Sequence, residues 1–239
     1  MMKKIDQDAQ NPDEKPLLSQ NISIVEVGAH SQTFEKFIDF VGLKSLIITD
    51  IDSYYEKIVY EDDGVTPQKY KNGKNKIEEV QCTPLDPNGS KSSNSSLKFF
   101  FQQEELGFYK GLDFENKSLT KPSGSETWQQ DPNGFLKIVY QVAEHGYHGR
   151  SYEDAFFSIN KDLLNAGHSA FPSLTKKYLD LYLSNDIDVF EFSEKAVNSK
   201  PSLAIEILLN SETTEDGVEF SNWHVPLYIK EGLLWLQKN

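Results

Sequence analysis

ISIVEVGAHSQTFEKFIDFVGLKSLIITDIDSYYE, residues 22–56, is the stretch on which the fold turns. Ser45 to Thr49 (SLIIT) is a short β-branched run that reads as a buried parallel strand, because a strand covered on both faces carries a near-continuous apolar sequence. The run ends in two aspartates, Asp50 and Asp52. Side chains two apart on an extended backbone share a face, so both carboxylates can meet one divalent cation. Upstream, ISIVEV reads as a second strand, Gly28 marks the turn after it, and Phe34, Phe37, Ile38 and Val41 recur at helical spacing. The segment is predicted as strand, helix, strand. An aspartate pair at a strand end also has a plainer use, capping the turn or helix that follows.

Working outward, Phe135 to Val142 (FLKIVYQV) has the β-branched and aromatic bias of a core strand. It leads through EHGYHG into RSYEDAFFSINKDLLNAG, where Ala155, Phe156, Ile159, Leu163 and Leu164 form a helical stripe and Gly167 closes it. Further helices are predicted at about residues 173–183, 201–210 and 227–237, and a short one at 97–106. Between the strands, residues from about 56 to 134 are predominantly polar, with DPNGSKSSNSS at 86–96 the plainest loop signal. Residues 1–20 are charged and contain proline, the composition of a loosely attached tail. The predicted organisation is a tail at 1–20, a core at 21–170 with a polar insertion at about 56–134, and a helical subdomain at 171–239.

Composition narrows the function classes. No apolar run approaches the ~20 residues that span a bilayer, and the polar N-terminus has no apolar segment of a secretory signal. A cytoplasmic protein is expected, with no membrane partner. The single cysteine, Cys82, excludes an internal disulfide framework and reads as an incidental thiol. A net charge of −13 argues against a free-standing nucleic-acid binder, whose affinity comes from lysine and arginine. It leaves room for a metal-dependent nuclease, which concentrates carboxylates at its centre.

Two further fragments carry candidate chemistry. GRSYEDAFFSIN places Ser151 and Glu153 two apart at the start of a helix, as ligands or as an N-cap with an acid on the positive helix end. Lys200, in NSKPSLAIEILLN, precedes a helix opened by Pro201 and is either solvated or aimed at the same cluster. His145 and His148 are expected in a solvated turn.

Four segments in order, ISIVEVGAHSQTFEKFIDF with LIITDIDS, GRSYEDAFFSIN, SKPSLAIEILL and WHVPLYIKEGLLWL, resemble the C-terminal half of the OLD-family (overcoming-lysogenization-defect) ATP-dependent endonucleases, over roughly residues 21–239. The resemblance implies an α/β fold, a mostly parallel sheet flanked by helices in an incomplete Toprim arrangement with a C-terminal helical subdomain. It also implies a two-metal DNA endonuclease in which Asp50, Asp52, Ser151 and Glu153 bind Mg²⁺ or Mn²⁺ and Lys200 stabilises the transition state. The family context further implies defence against phage DNA.

The sequence departs from that pattern in two ways. Toprim domains begin with a strand bearing a glutamate, and only one strand precedes the DxD here; Glu26 lies on what corresponds to the family's second strand. No GxxxxGK[ST] phosphate loop is present, so no ATP site is expected, and an ATPase domain or longer parent chain is the expected partner. Oligomerisation is open. The alternative is a catalytically weak or inactive Toprim-like module for protein interaction or regulation. A DxD phosphatase of the haloacid-dehalogenase type is disfavoured because Tyr54 stands where that loop carries Thr or Val.

Overall fold

A computed structural model describes residues 1–8, 15–28 and 30–238. The chain runs through α1 (Met2–Asp8), α2 (Glu35–Val41), β1 (Ser45–Ile48), β2 (Ser53–Ile58), β3 (Ile77–Gln81) and β4 (Lys91–Ser92). It continues through α3 (Ser95–Phe101), α4 (Leu106–Gly111), β5 (Ser118–Thr120), β6 (Gln129–Gln130), β7 (Leu136–Val139), β8 (Ala143–Glu144) and β9 (Tyr147–His148). The remainder is helical: α5 (Tyr152–Ile159), α6 (Lys176–Leu183), α7 (Val189–Ala196), α8 (Lys200–Leu209) and α9 (Leu227–Gln237).

The two apolar runs singled out as strands pair in parallel, Ser45 opposite Leu136 through Ile48 opposite Val139. They form one side of a four-stranded sheet of order β1-β7-β5-β6. The rest of that sheet is antiparallel, which corrects the expectation of a mostly parallel one. β7 is buried on both faces, and its alternation divides the core in two. Leu136 and Ile138 point into a cluster with Ile51, Leu97, Phe100 and Tyr109, while Val139 joins the cluster built by α5 to α9. α9 lies on this second face, close enough that a Cβ on Gly232 would come within 3.0 Å of Val139 Cγ2 and 3.1 Å of Leu46 Cδ1. Only a residue without a side chain lets that helix approach so near.

Several elements depart from the sequence reading. ISIVEV pairs with no strand among the described residues, and Ile24 and Val25 are exposed. β1 itself is only half-buried, since nothing covers its outer edge. The polar insertion folds: β2, β3 and β4 make a separate antiparallel sheet, and α3, α4, β5 and Trp128 supply part of the core. Its loop-like composition reflects a sheet whose residues are largely exposed, as in β3, where four of five are. α7 was not anticipated; it starts at Asp188, whose carboxylate accepts from the Glu191 amide at 2.7 Å. The N-terminal segment is also held. Ile5 and Leu17 are buried in the α5–α9 cluster, and Asp6 accepts from the amides of Leu17 and Leu18. The part of the expected tail at residues 9–14 lies outside the described residues. No helix among the described residues is long and apolar enough to cross a membrane.

Cys82 is buried, and burial together with Asp86 pushes its thiol up to about 11. The thiolate is the reactive species, so the folded protein should leave Cys82 unlabelled by a disulfide reagent at pH 8 until denaturant is added. Rapid native labelling would contradict that burial.

Candidate metal and phosphate cleft

β1 ends at Ile48, and the chain then turns through Thr49, Asp50, Ile51 and Asp52 before β2 begins. Ile51 is fully buried and anchors the turn, while the aspartates on either side of it line one cleft of about 320 Å³. Gly28, Asn94, Tyr152 and Tyr228 share that cleft. Asp52 adopts a left-handed backbone, φ +48°, which an L-residue adopts at some cost and aspartate more readily than most.

Three polar side chains brace the turn. Gln141, two residues past β7, accepts from the Ile51 amide at 2.7 Å and donates to Asp50 Oδ1 at 2.5 Å and to the Tyr228 hydroxyl at 3.2 Å. Asn94 caps α3 and also donates to Thr49 Oγ1, the Asp50 carbonyl and Asp52 Oδ2. Arg150 is buried beside Asp52, its Nη2 3.5 Å from Oδ1, and its Nε donates to the Ser53 carbonyl. Sequence reading did not single out any of the three. Gln141 had a signal, a polar residue just past the mostly apolar strand that pairs with the aspartate strand.

Electrostatically the cleft is short of positive charge at Asp50. Burial, then the charge of Asp52, raise its carboxyl to about 6; the Gln141 hydrogen bond and Lys200 oppose the shift, and Glu153 adds to it. Nothing among the described residues donates to Asp50 Oδ2, which leaves that oxygen available to a ligand. Glu153 is buried and accepts from Lys200 Nζ at 3.0 Å, while the Lys200 side chain is two-thirds exposed. Burial pulls the Lys200 ammonium down, but the Glu153 hydrogen bond and the charges of Glu153, Asp50 and Glu194 outweigh it and hold it raised.

The structure therefore brings Asp52, Glu153 and Lys200 within electrostatic range of Asp50. It does not bring Ser151 with them. Ser151 is the N-cap of α5; its hydroxyl and amide both donate to Asp154 Oδ1, at 3.0 and 2.7 Å. That hydroxyl is committed to the helix start, which is the plainer of the two uses open to it. Lys200 opens α8 behind the Ser199 cap, with Pro201 in the first turn. Glu26 is exposed. His148 is buried rather than solvated, its Nε2 2.9 Å from the Gln141 carbonyl oxygen, and burial lowers its pKa.

The candidate ligand atoms are oxygens, two carboxylates and a threonine hydroxyl, which suit a hard cation over a soft one; the Asn94 oxygen is taken by the Leu97 amide and its nitrogen faces the turn. Asp50 and Asp52 carry oxygens of the type such an ion takes. Among the described residues no group of three or more His, Cys, Asp or Glu side chains is arranged to hold one. Comparison with known protein families, with curated proteins and with solved structures found no match.

Proposed function

We propose that this cleft hydrolyses phosphodiester bonds of DNA with the help of Mg²⁺ or Mn²⁺, in the manner of the OLD-family endonucleases that the sequence resembles. The observation that supports the reading is that Asp50 and Asp52 line one open cleft while the Glu153–Lys200 pair, from segments distant in sequence, lies close enough for both charges to act on Asp50. Asp50 and Asp52 would hold the cation, and Glu153 would reach a second one on exchanging its bond to Lys200. A bound cation would polarise the phosphoryl oxygen and lower the pKa of an attacking water.

The protein's own groups do the rest. Gln141, Asn94 and Arg150 fix the two aspartates, so that little reorganisation is needed when charge builds. Lys200 sits on a long exposed side chain and would swing its ammonium from Glu153 to the phosphate in the transition state. The acidic surface leaves attraction to DNA to cations or to an attached ATPase domain, and the biological setting in this reading is defence against phage DNA in the cytoplasm.

The test is nicking of supercoiled plasmid by the purified chain with Mg²⁺ or Mn²⁺ beside EDTA. Metal-dependent nicking is expected, and Lys200→Met should lower it by about 10²-fold, the scale of one lost transition-state donor. Nicking that persists in EDTA, or a Lys200→Met protein as active as the parent, would contradict the mechanism.

A second reading, a non-catalytic interaction module, draws on the apolar surface beside the cleft, where Phe37 and Phe40 are 62% and 89% exposed. Calorimetric titration with Mn²⁺ separates the two. Carboxylate-dependent binding supports the nuclease, and its absence supports the module.

A further inference from the structure

β1 is the edge of its sheet, and its amides alternate. Ser45 N donates to the Phe135 carbonyl and Thr49 N to that of Val139, so the odd-numbered residues face β7 and those of Leu46 and Ile48 face outward. Alongside this open edge lies ISIVEV, β-branched yet unpaired among the described residues. A groove of about 390 Å³ separates them, lined by Ile22, Val25 and Val27 on one side and Leu46, Ile48 and Leu236 on the other.

The direction of the segment is fixed at both ends. Gln20 donates to the Gln237 carbonyl and the Lys44 ammonium to that of Lys238, so both chains start at the C-terminal end of α9. Gly28 lines the aspartate cleft with Ile48 and Thr49, so both finish there. Residues 22–27 thus run parallel to β1, and the connection back passes through α2, a helical crossover of the length that parallel neighbours require. A free edge flanked by apolar groups is a template for one more strand.

We propose that residues 22–27 are a strap that closes on β1 as a fifth, parallel strand. Closure fills the groove and covers Val25, which lines it and is 60% exposed when it is open. The occupant of the groove is this segment of the same chain. Any effect of closure on catalysis rests on the reading above; the closure itself does not.

Nuclear Overhauser contacts and individual amide exchange rates in the ¹⁵N-labelled chain test it without DNA or metal, so failure of the nuclease reading leaves the result interpretable. Cross-strand contacts between residues 22–27 and Leu46 or Ile48 are expected. The Leu46 and Ile48 amides should exchange at least about tenfold slower than unstructured ones, independently of protein concentration. Val25→Pro, which locks φ and takes an N–H out of the middle of the segment, should erase that protection while Leu136 to Val139 stay protected. Should that variant not fold, the contacts in the wild-type chain decide alone. Their absence, free exchange at Leu46 and Ile48, or protection that grows with concentration and so reports a second copy on the edge, would each overturn the strap.

Discussion

Asp50→Asn is expected to abolish metal-dependent DNA cleavage and, at the same time, to make the metal-free protein more stable at pH 8. The two effects share one cause. Asp50 is held in a cleft where burial, Asp52 and Glu153 all disfavour its charge, and its carboxyl is raised to about 6. A carboxyl whose folded pKa exceeds its unfolded value contributes stability that is complete below the unfolded pKa and is lost as pH rises through the folded one. Between about pH 4 and 7 the wild-type chain should therefore lose roughly 2 kcal/mol that Asp50→Asn, with nothing to ionise, keeps. Asparagine retains an oxygen for the Gln141 amide, so the brace on the turn survives.

Urea unfolding of both proteins in EDTA, from pH 4.5 to 8, measures this directly. The curves should be close at pH 4.5 and diverge with the variant above. Adding Mn²⁺ should raise the wild type by about 2.7 kcal/mol at a hundred times its Kd and leave the variant where it was. Cleavage by the variant should fall at least about 10²-fold, since removing outer partners of a metal site already costs 10–100-fold and this oxygen would be a ligand itself. A variant that is less stable than the wild type at pH 8 would mean that Asp50 is held by its bonds and not merely tolerated.

What the sequence reveals follows from how local each determinant is. SLIIT and FLKIVYQV were legible because apolar runs of strand length are local, and their parallel pairing placed Asp50 and Asp52 at the head of the sheet as expected. α5, α8 and α9 were legible from periodicity and from Pro201 at the start of α8, although α5 stops at Ile159 and Gly167 closes the separate 3-10 segment Lys161–Ala166 instead. The antiparallel β2–β3–β4 sheet was not, because its strands are mostly solvated and their composition reads as loop. Trp128, buried, sits among polar neighbours in SETWQQD, so its part in the core was hidden as well.

The candidate site shows the same division. The Asp50–Asp52 turn is set by two residues of one strand end, and Glu153 meets Lys200 because α5 and α8 present them toward each other. Gln141, Asn94 and Arg150 come from three separate segments and are united only by tertiary packing. ISIVEV fails for the opposite reason. Its local preference is for strand, but nothing in the open arrangement supplies the ladder partner that would realise it.

Asp154→Ala is expected to be the most damaging single change near the cleft for stability, about 3–5 kcal/mol, although this acid touches no ligand position. Its carboxylate, fully buried, accepts five hydrogen bonds: from the Ser151 amide and hydroxyl and the Ala155 amide at Oδ1, and from the Arg150 amide and the Tyr147 hydroxyl at Oδ2. It thereby ties the β8–β9 hairpin, the turn carrying Arg150 and the first turn of α5 to one point. Alanine leaves those donors buried without an acceptor, and each orphan costs on the order of 1–3 kcal/mol before relaxation. Asp154→Asn keeps an oxygen for three of the donors but sets an amide group against the other two, so about half the loss is expected. Because Arg150 faces Asp52 and Glu153 follows Ser151, the same change should also loosen both sides of the cleft. Thermal unfolding at pH 7 should place Asp154→Ala roughly 10 °C below the wild type, with Asp154→Asn between them. A drop of only a degree or two would show that water replaces the carboxylate and that α5 does not depend on this one acid for its position.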